Sequence, residues 1–341
     1  MNIFVGIINY NGERTLAKVI DKLVKQKNVT LAIKVYDNCS TDRSVEIVRK
    51  YHPQVEVEVM DENLGPNPAR NKALKDSFYD YTLIMDNDIY FDENSLAKLG
   101  NVLNDNENCM ACGPLIAYNS NKDLIQYNGA KIHYIGATII NAGRISELQD
   151  HNHFKSIYLG AGALLIKNEV VEKIGYFDED FFFGWEDGDF TFRITSAGYD
   201  CLAIPEVVAY HDAEKRDSSK LFYQIRNRWF FIINNYSFYT ILLILPALFF
   251  YEVFLAAFLM WKKSFGIYVK ANTSVIKNIA MLVKKHNVIK RSKIVSDREL
   301  LYSGEMYAND LIINNKFYTI LKIIVNKLFN IYWNLVRIAI L

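Results

Sequence analysis

Tyr81-Thr82-Leu83-Ile84-Met85-Asp86-Asn87-Asp88 decides the fold, because an apolar, β-rich run empties directly into a carboxylate pair. Tyr81 to Met85 reads as a buried strand, and Asp86 and Asp88 are released into the turn that follows it. At i and i+2 off a strand end, two carboxylates can face one small volume. Oxygen donors of that kind suit Mg2+ or Mn2+. A hard cation held by one or two carboxylates keeps open positions for substrate phosphates, so the expected ligand is a diphosphate. The competing reading is an Asx-rich connection between strand and helix, since Asp and Asn are common in turns.

Working outward, Ile3 to Ile8, Leu31 to Tyr36 and Val55 to Met60 also read as strands. Between them Leu16, Val19, Ile20, Leu23 and Val24 keep a 3.6-residue period, and Val45, Ile47 and Val48 begin a second helix behind Ser40-Thr41-Asp42. Strands separated by helices imply βαβ units and a parallel sheet whose ligands sit at its carboxyl edge. After Cys109 to Tyr118, short alternating pieces punctuated by Gly129, Gly136 and Gly143 suggest an antiparallel hairpin region. A further strand, Ile157 to Ile166, and a helix, Asn168 to Ile174, follow. The strand carries Gly160-Ala161-Gly162-Ala163, small enough for backbone to approach a ligand closely. Neither G-x-G-x-x-G nor a Walker A string occurs.

The 341 residues allow one large domain or two, and 51% hydrophobic content supports a sizeable core. A formal net charge of +1 argues against a nucleic-acid binder that neutralises many phosphates. Cys39, Cys109, Cys112 and Cys201 are too few and scattered for a disulfide framework and fit a reducing compartment. Cys109-Met-Ala-Cys112 has the spacing of half a zinc site, but it lies in a strand-like run and reads as core. Met1-Asn2 leads straight into a strand, without the basic start of a signal peptide. Composition shifts beyond about residue 215. Residues 238–261 carry Glu252 as their only charge and Pro246 as their only break, long enough to span a bilayer. Lys262-Lys263, Lys284-Lys285 and Lys290-Arg291 follow, and the tail to Leu341 mixes apolar and basic residues. Membrane contact is expected here, by a segment lying in the interface ahead of one that spans the bilayer, with a pair of core helices broken at Pro246 as the alternative.

The chemistry-bearing residues fall at strand ends. Asp37 and Asn38 follow the second strand, where a carboxylate and an amide can bond a base or a sugar; an N-cap for the next helix is the plain alternative. In Asn63-Leu64-Gly65-Pro66-Asn67 glycine permits a tight turn, Asn67 is placed to cap the next helix, and Arg70 would sit in its first turn, on a phosphate or in solvent. Trp185-Glu186-Asp187-Gly188-Asp189 puts three carboxylates within four positions, which repel unless a proton, cation or arginine compensates. Asp189 and Arg193 are i, i+4 helix partners, whereas Asp187 has no partner from spacing. His211 ends the strand Val207 to Tyr210, either as a third metal ligand or as a structural histidine.

The ordered series Gly6-Ile-Ile-Asn9-Tyr-Asn11, Asp37-Asn-Cys-Ser-Thr-Asp42, Asn63-Leu-Gly65, Ala69-Arg-Asn71, Asp86-Asn-Asp88, Gly160-Ala-Gly-Ala, Gly175-Tyr-Phe-Asp178, Trp185 to Arg193 and Pro205 to His211 resembles family 2 glycosyltransferases of GT-A fold. The resemblance covers roughly residues 1–235, leaving 236–341 as a helical, membrane-associated extension. It implies an α/β catalytic domain with a Rossmann-like, mostly parallel sheet flanked by helices. It also implies an inverting, metal-dependent transfer of one sugar from a UDP-, dTDP- or GDP-linked donor to a lipid-linked or membrane-proximal glycan, at the cytoplasmic face of the cell membrane. By the same resemblance Asp37 reads the nucleobase, Asp86 and Asp88 hold the metal diphosphate, His211 ligates the metal and Asp187 is the general base. Asn9, Asn38, Asn63, Gly65 and Arg70, with Asn87, Gly162 and Glu186, complete the implied donor site. Processive synthases carry Q-x-x-R-W, and Gln224-Ile-Arg-Asn-Arg228-Trp229 is one residue too long. It is more similar to the R-N-R string of non-processive, rhamnosyl- or galactofuranosyl-transferase-like members. A processive synthase and an inactive sugar-nucleotide-binding module are the alternatives.

Overall fold

A computed structural model describes residues 1–140, 142–212, 220–305 and 316–340. In chain order the elements begin with β1 (Asn2–Asn9), α1 (Leu16–Leu23), β2 (Thr30–Asp37), α2 (Ser44–Tyr51), β3 (Glu56–Val59), α3 (Pro66–Asp76), β4 (Tyr81–Asp86), β5 (Ile89–Phe91) and α4 (Ser95–Asp105). Two antiparallel pairs follow, β6 (Cys109–Tyr118) with β7 (Asn121–Tyr127) and β8 (Ala130–His133) with β9 (Ala137–Ile140). Next come β10 (Gly143–Arg144), β11 (Phe154–Lys155), β12 (Ala163–Lys167), α5 (Glu169–Ile174), α6 (Glu186–Ser196) and β13 (Asp200–His211). The rest is mostly helical: α7 (Leu221–Asn235), α8 (Phe238–Trp261), α9 (Phe265–Lys277), α10 (Ile279–Ile289), α11 (Asp297–Leu300), β14 (Leu301–Tyr302) and α12 (Lys316–Val336).

The chain packs as two compact units. The first comprises Met1–Gly129, Asn141–Thr195 and Tyr199–Arg216 and contains an eleven-stranded sheet. Its centre is the parallel set β3-β2-β1-β4, continued by β12, which runs antiparallel to β4 and β6. Ile3, Val5 and Ile7 on β1 meet Leu16, Val19, Ile20 and Leu23 of α1 in a wholly apolar core, the expected result of a two-residue strand period facing a 3.6-residue helix period. Register then determines what reaches the edge. Asn9 pairs with Asp37, and Ile8 with Asp86, so the last residues of β1, β2 and β4 emerge side by side. β12 runs the other way and starts at the same edge, with the Asp86 N–H donating to the Gly162 carbonyl at 3.0 Å.

Two local expectations are corrected. The strand expected from Ile157 begins only at Ala163, because the backbone before it is spent on side chains: Tyr158 O accepts from the hydroxyls of Tyr127 and Ser156, and the Ala161 N–H faces Asp187. Asn67 does not cap α3. Gly65 holds the cap position, Pro66 begins the helix, and the Asn67 amide reaches the carbonyls of Asp178 at 2.7 Å and Phe181 at 3.2 Å. All four cysteines are free, and Cys109 and Cys112 are buried in β6. Burial pushes the Cys109 thiol up to about 11, as suits a core residue.

The second unit comprises Ala130–Ile140, Ser196–Gly198 and Asp217–Leu341, with the three-stranded sheet β14-β8-β9 among its helices. Tyr134 stacks on Trp333 at 4.7 Å between ring centres and donates its hydroxyl to Phe329 O, tying this sheet to α12. The R-N-R string lies here, in α7. Arg228 is buried, donates to Ile135 O at 2.6 Å and pairs with Glu252 of α8. α8 is long and apolar enough to cross a membrane, and half of its residues are exposed.

Candidate active site

At one end of the edge, Asp37 is fully buried and already occupied. It accepts from Asn9 Nδ2 at 2.5 Å and from the N–H and hydroxyl of Ser40 at 2.9 and 2.6 Å. Asn9 in turn accepts from Asn87 Nδ2 at 2.6 Å, so Asn9 links the Asp37 corner to the Asp86-Asn87-Asp88 turn. Asn38 donates to Gly65 O at 3.2 Å, and Asn63 accepts from the Gly65 N–H at 3.0 Å. Gly65 has a φ of +88°, and a Cβ there would stand 2.5 Å from the Phe182 carbonyl oxygen, so the turn requires glycine.

Arg70, one turn into α3, is buried beneath the carboxylates rather than solvated. Its guanidinium stands 3.6 Å from Asp86 and 3.5 Å from Glu186, bonds Asn67 at 3.3 Å and lies over the Phe177 ring. Glu186, at the start of α6, is only 7% exposed in its side chain, and its Oε2 has no hydrogen-bond partner. Burial and the charge of Asp187 push its carboxyl up to about 7, against the pull of Arg70.

The remaining acids are separated by their surroundings. Asp189 is wholly buried and bonded to Arg193 Nε at 2.9 Å, and Arg193 also donates to the carbonyls of Ile174 at 2.6 Å and Tyr176 at 2.8 Å. That cluster fastens α6 to the loop before it. Asp187 is partly exposed and receives the Tyr158 hydroxyl at 2.7 Å, the Gly188 N–H at 2.9 Å and the Ala161 N–H at 3.3 Å. A Cβ on Gly188 would lie 2.2 Å from the Tyr158 ring, so this glycine makes the seat for that ring. Trp185, just before, takes a φ of +74°, a costly conformation of the kind that gathers at functional sites.

His211 Nε2 lies 3.1 Å from Asp88, and its Nδ1 lies 2.6 Å from Gln126 Oε1. An Nδ1–H donated to Gln126 leaves the Nε2 lone pair facing the acidic turn, the orientation a metal-ligating imidazole needs. Asp88 O also accepts the Asp212 N–H, and Asp212 accepts Lys18 Nζ at 2.8 Å. Burial raises the Asp86 carboxyl above its ordinary value, Arg70 opposing the rise and the charges of Asp88 and Asp187 adding to it. Among the described residues no three His, Cys, Asp or Glu side chains stand close enough to enclose one ion. Two hard carboxylate donors and an oriented imidazole nevertheless have the chemistry that fits Mg2+ or Mn2+. Tyr158 and Gln126 escaped sequence reasoning. Tyr158 stands two residues before the Gly160 loop, and nothing in the sequence signals Gln126.

A family model described as glycosyl transferase family 2 matches residues 4–175, just over half the chain, including β1 to β4, the acidic turn and β12. The chain belongs to that family. Its relatives include poly(ribitol-phosphate) glycosyltransferases. Poly(ribitol-phosphate) beta-N-acetylglucosaminyltransferase TarS of Staphylococcus aureus is 32% identical over 101 residues, which is 28% of this chain and 18% of TarS. Chondroitin synthase of Pasteurella multocida is 27% identical over 239 residues, 62% of this chain and 25% of the synthase. The chain therefore spans about a quarter or less of the length of these relatives. Among solved structures, a mannosyltransferase of Pyrobaculum calidifontis superposes with a TM-score of 0.51 at 16% identity, over 85% of both chains. GalNAc-T7 gives 0.52 at 13% identity, over 69% of this chain and 48% of its own. Both show that the chain has the GT-A fold.

Proposed function

We infer that the protein is an inverting, metal-dependent glycosyltransferase that moves a single sugar from a nucleotide-diphosphate sugar to a lipid-linked or membrane-proximal glycan. The observation that carries this reading is the gathering, by strand register and by α6, of Asp37, Asp86, Asp88, Arg70, Asp187 and His211 in the first unit. The polar turns at Asn9, Asp37, Asn38, Asn63 and Gly65 would receive the nucleoside. Asp86, Asn87, Asp88 and His211 would hold the cation and the diphosphate, with Gly162 leaving room beside Asp86, where a Cβ would come within 3.2 Å of the carboxylate. Mg2+ or Mn2+, when bound, supplies positive charge for the leaving diphosphate. Arg70 and Glu186 set the electrostatics beneath it.

Asp187 would take the proton from the acceptor. Tyr158 and the Gly188 and Ala161 N–H groups donate to its carboxylate and orient it, and it stays partly open. As the acceptor oxygen bonds to the anomeric carbon, its proton passes to Asp187 and the bond from that carbon to the diphosphate oxygen breaks, inverting the centre. Asp189 has no such freedom, held as it is by Arg193. The solved neighbours are recorded with Mn2+ and either UDP or GDP-mannose, in keeping with a nucleotide donor and a divalent ion. Polymer-directed relatives such as TarS, and the apolar helix α8, support an acceptor held at a membrane, and the side we propose is the cytoplasmic one. Incubation with UDP-, dTDP- and GDP-sugars and a short polyprenyl-linked glycan tests the reading. One sugar added with inverted configuration supports it; a growing polymer would favour the synthase alternative, and no transfer or donor hydrolysis would leave a binding module.

A further inference from the structure

Resting on the membrane reading above, we propose that α8 lies flat in the interface of an anionic membrane and does not cross it. The helix is one-sided along its whole length. Thr240, Ile244, Ala247, Leu248 and Leu259 are buried within the second unit, while Phe238, Leu242, Phe249, Phe254 and Trp261 on other sides stand between 47% and 75% exposed. The buried side is fixed at mid-helix by polar chemistry. Glu252 accepts the Tyr268 hydroxyl of α9 at 2.7 Å and pairs with Arg228 of α7. Near the other end, Tyr332 of α12 donates to Leu243 O at 2.6 Å, next to the Leu242 carbonyl that Pro246 leaves without its helical N–H.

Those partners decide against crossing. α9 has 13 residues, roughly 20 Å of helix, against a hydrocarbon thickness of about 30 Å, and it carries exposed Lys270 and Lys277. If α8 stood upright, its tie at Glu252 would draw that short basic helix, and the arginines of α7, into the acyl region. Lying flat, α8 buries only its apolar side and leaves its neighbours at headgroup depth. The charge pattern identifies the partner. From Val253 to Ser296 the chain has nine Lys and Arg and no Asp or Glu. Exposed Trp261 is followed by exposed Lys262 and Lys263, an aromatic and basic combination suited to an interface.

The test uses the full chain carrying Cys39→Ser, since the other cysteines are buried. A single cysteine is introduced at Leu242, Phe249 or Met260, which share one side of α8, and each is spin-labelled on vesicles of equal phosphatidylglycerol and phosphatidylcholine. Eighteen residues at 1.5 Å separate the outer two by about 27 Å along the helix. A flat helix gives all three labels the same shallow depth. Outer labels at opposite interfaces with Phe249 near the centre would overturn the proposal while keeping the membrane reading. Absence of flotation would instead overturn the membrane reading, and labels covered by a second copy in solution would overturn both. Salt and the reversals Lys262→Glu, Lys263→Glu and Lys284→Glu should reduce flotation severalfold, whereas equal binding to pure phosphatidylcholine would contradict the choice of an anionic partner.

Discussion

Replacing Glu186 by Gln should stabilise the metal-free protein at neutral and alkaline pH, and only there. The carboxyl is buried, has an oxygen without a hydrogen bond, and sits beside Asp187 with Arg70 as its near cation. Its protonation midpoint rises from 4.5 in the unfolded chain to about 7 in the fold. The folded state therefore binds the proton more tightly. The stability this confers is fully present below pH 4.5 and is lost as pH rises through 7. At about 1.4 kcal/mol per pH unit across that window, ionisation costs the fold roughly 3 kcal/mol at pH 8. Gln removes the charge at the same size, but its amide needs partners, and an unsatisfied one takes back about 1–2 kcal/mol. The net gain at pH 8 is about 1–2 kcal/mol, or roughly 2–8 °C in Tm for a unit of this size. Thermal unfolding in chelator at pH 5 and pH 8 reads it directly. Catalysis should fall in the same variant, because crowded charge held for a ligand is strain that binding relieves. A variant less stable than the parent at pH 8, or a difference independent of pH, would refute the reasoning.

Four further outcomes follow from the same geometry. Asp187→Asn should lower kcat by about 10²-fold or more with donor affinity nearly unchanged, measured by steady-state transfer; the same profile from Asp189→Asn alone would reverse the roles. Arg193→Met should cost about 3–5 kcal/mol in denaturant unfolding, because it strands the buried Asp189 carboxylate. Gly188→Ala should displace the Tyr158 ring and reproduce the kcat loss of Tyr158→Phe, and the pair should be non-additive in a double-mutant cycle. His133 is fully buried, and burial pulls its imidazole down to about 3. The unfolded chain takes up this proton first, so the second unit should lose up to about 1.4 kcal/mol per pH unit below pH 6.5, a slope that His133→Gln would remove.

Much of this was legible in sequence because it is local. Alternation of strand and helix located β1 to β4, and the placing of Asn9, Asp37 and Asp86 at strand ends required only that parallel strands pair in register. The i, i+4 spacing of Asp189 and Arg193 identified their bond in advance. What sequence hid depends on distant segments. Arg70 looked as ready for solvent as for a phosphate until Phe177, Asp86 and Glu186 were seen to enclose it. Asn67, expected at a cap, instead spans 111 positions to the Asp178 carbonyl. Tyr158 and Gln126 meet Asp187 and His211 across 29 and 85 positions, separations on which no periodicity bears.

The central claim is that the Asp86/Asp88 edge holds a nucleotide-diphosphate sugar through a divalent cation. Calorimetric titration of UDP-, dTDP- and GDP-sugars into the full chain, with Mn2+ and then with excess chelator, tests it most directly. One donor should bind with Mn2+ and lose most of its affinity in chelator, and Asp88→Asn in Mn2+ should behave like the chelated parent. Equal affinity with and without the metal, or a donor that binds Asp88→Asn as tightly as the parent, would contradict it.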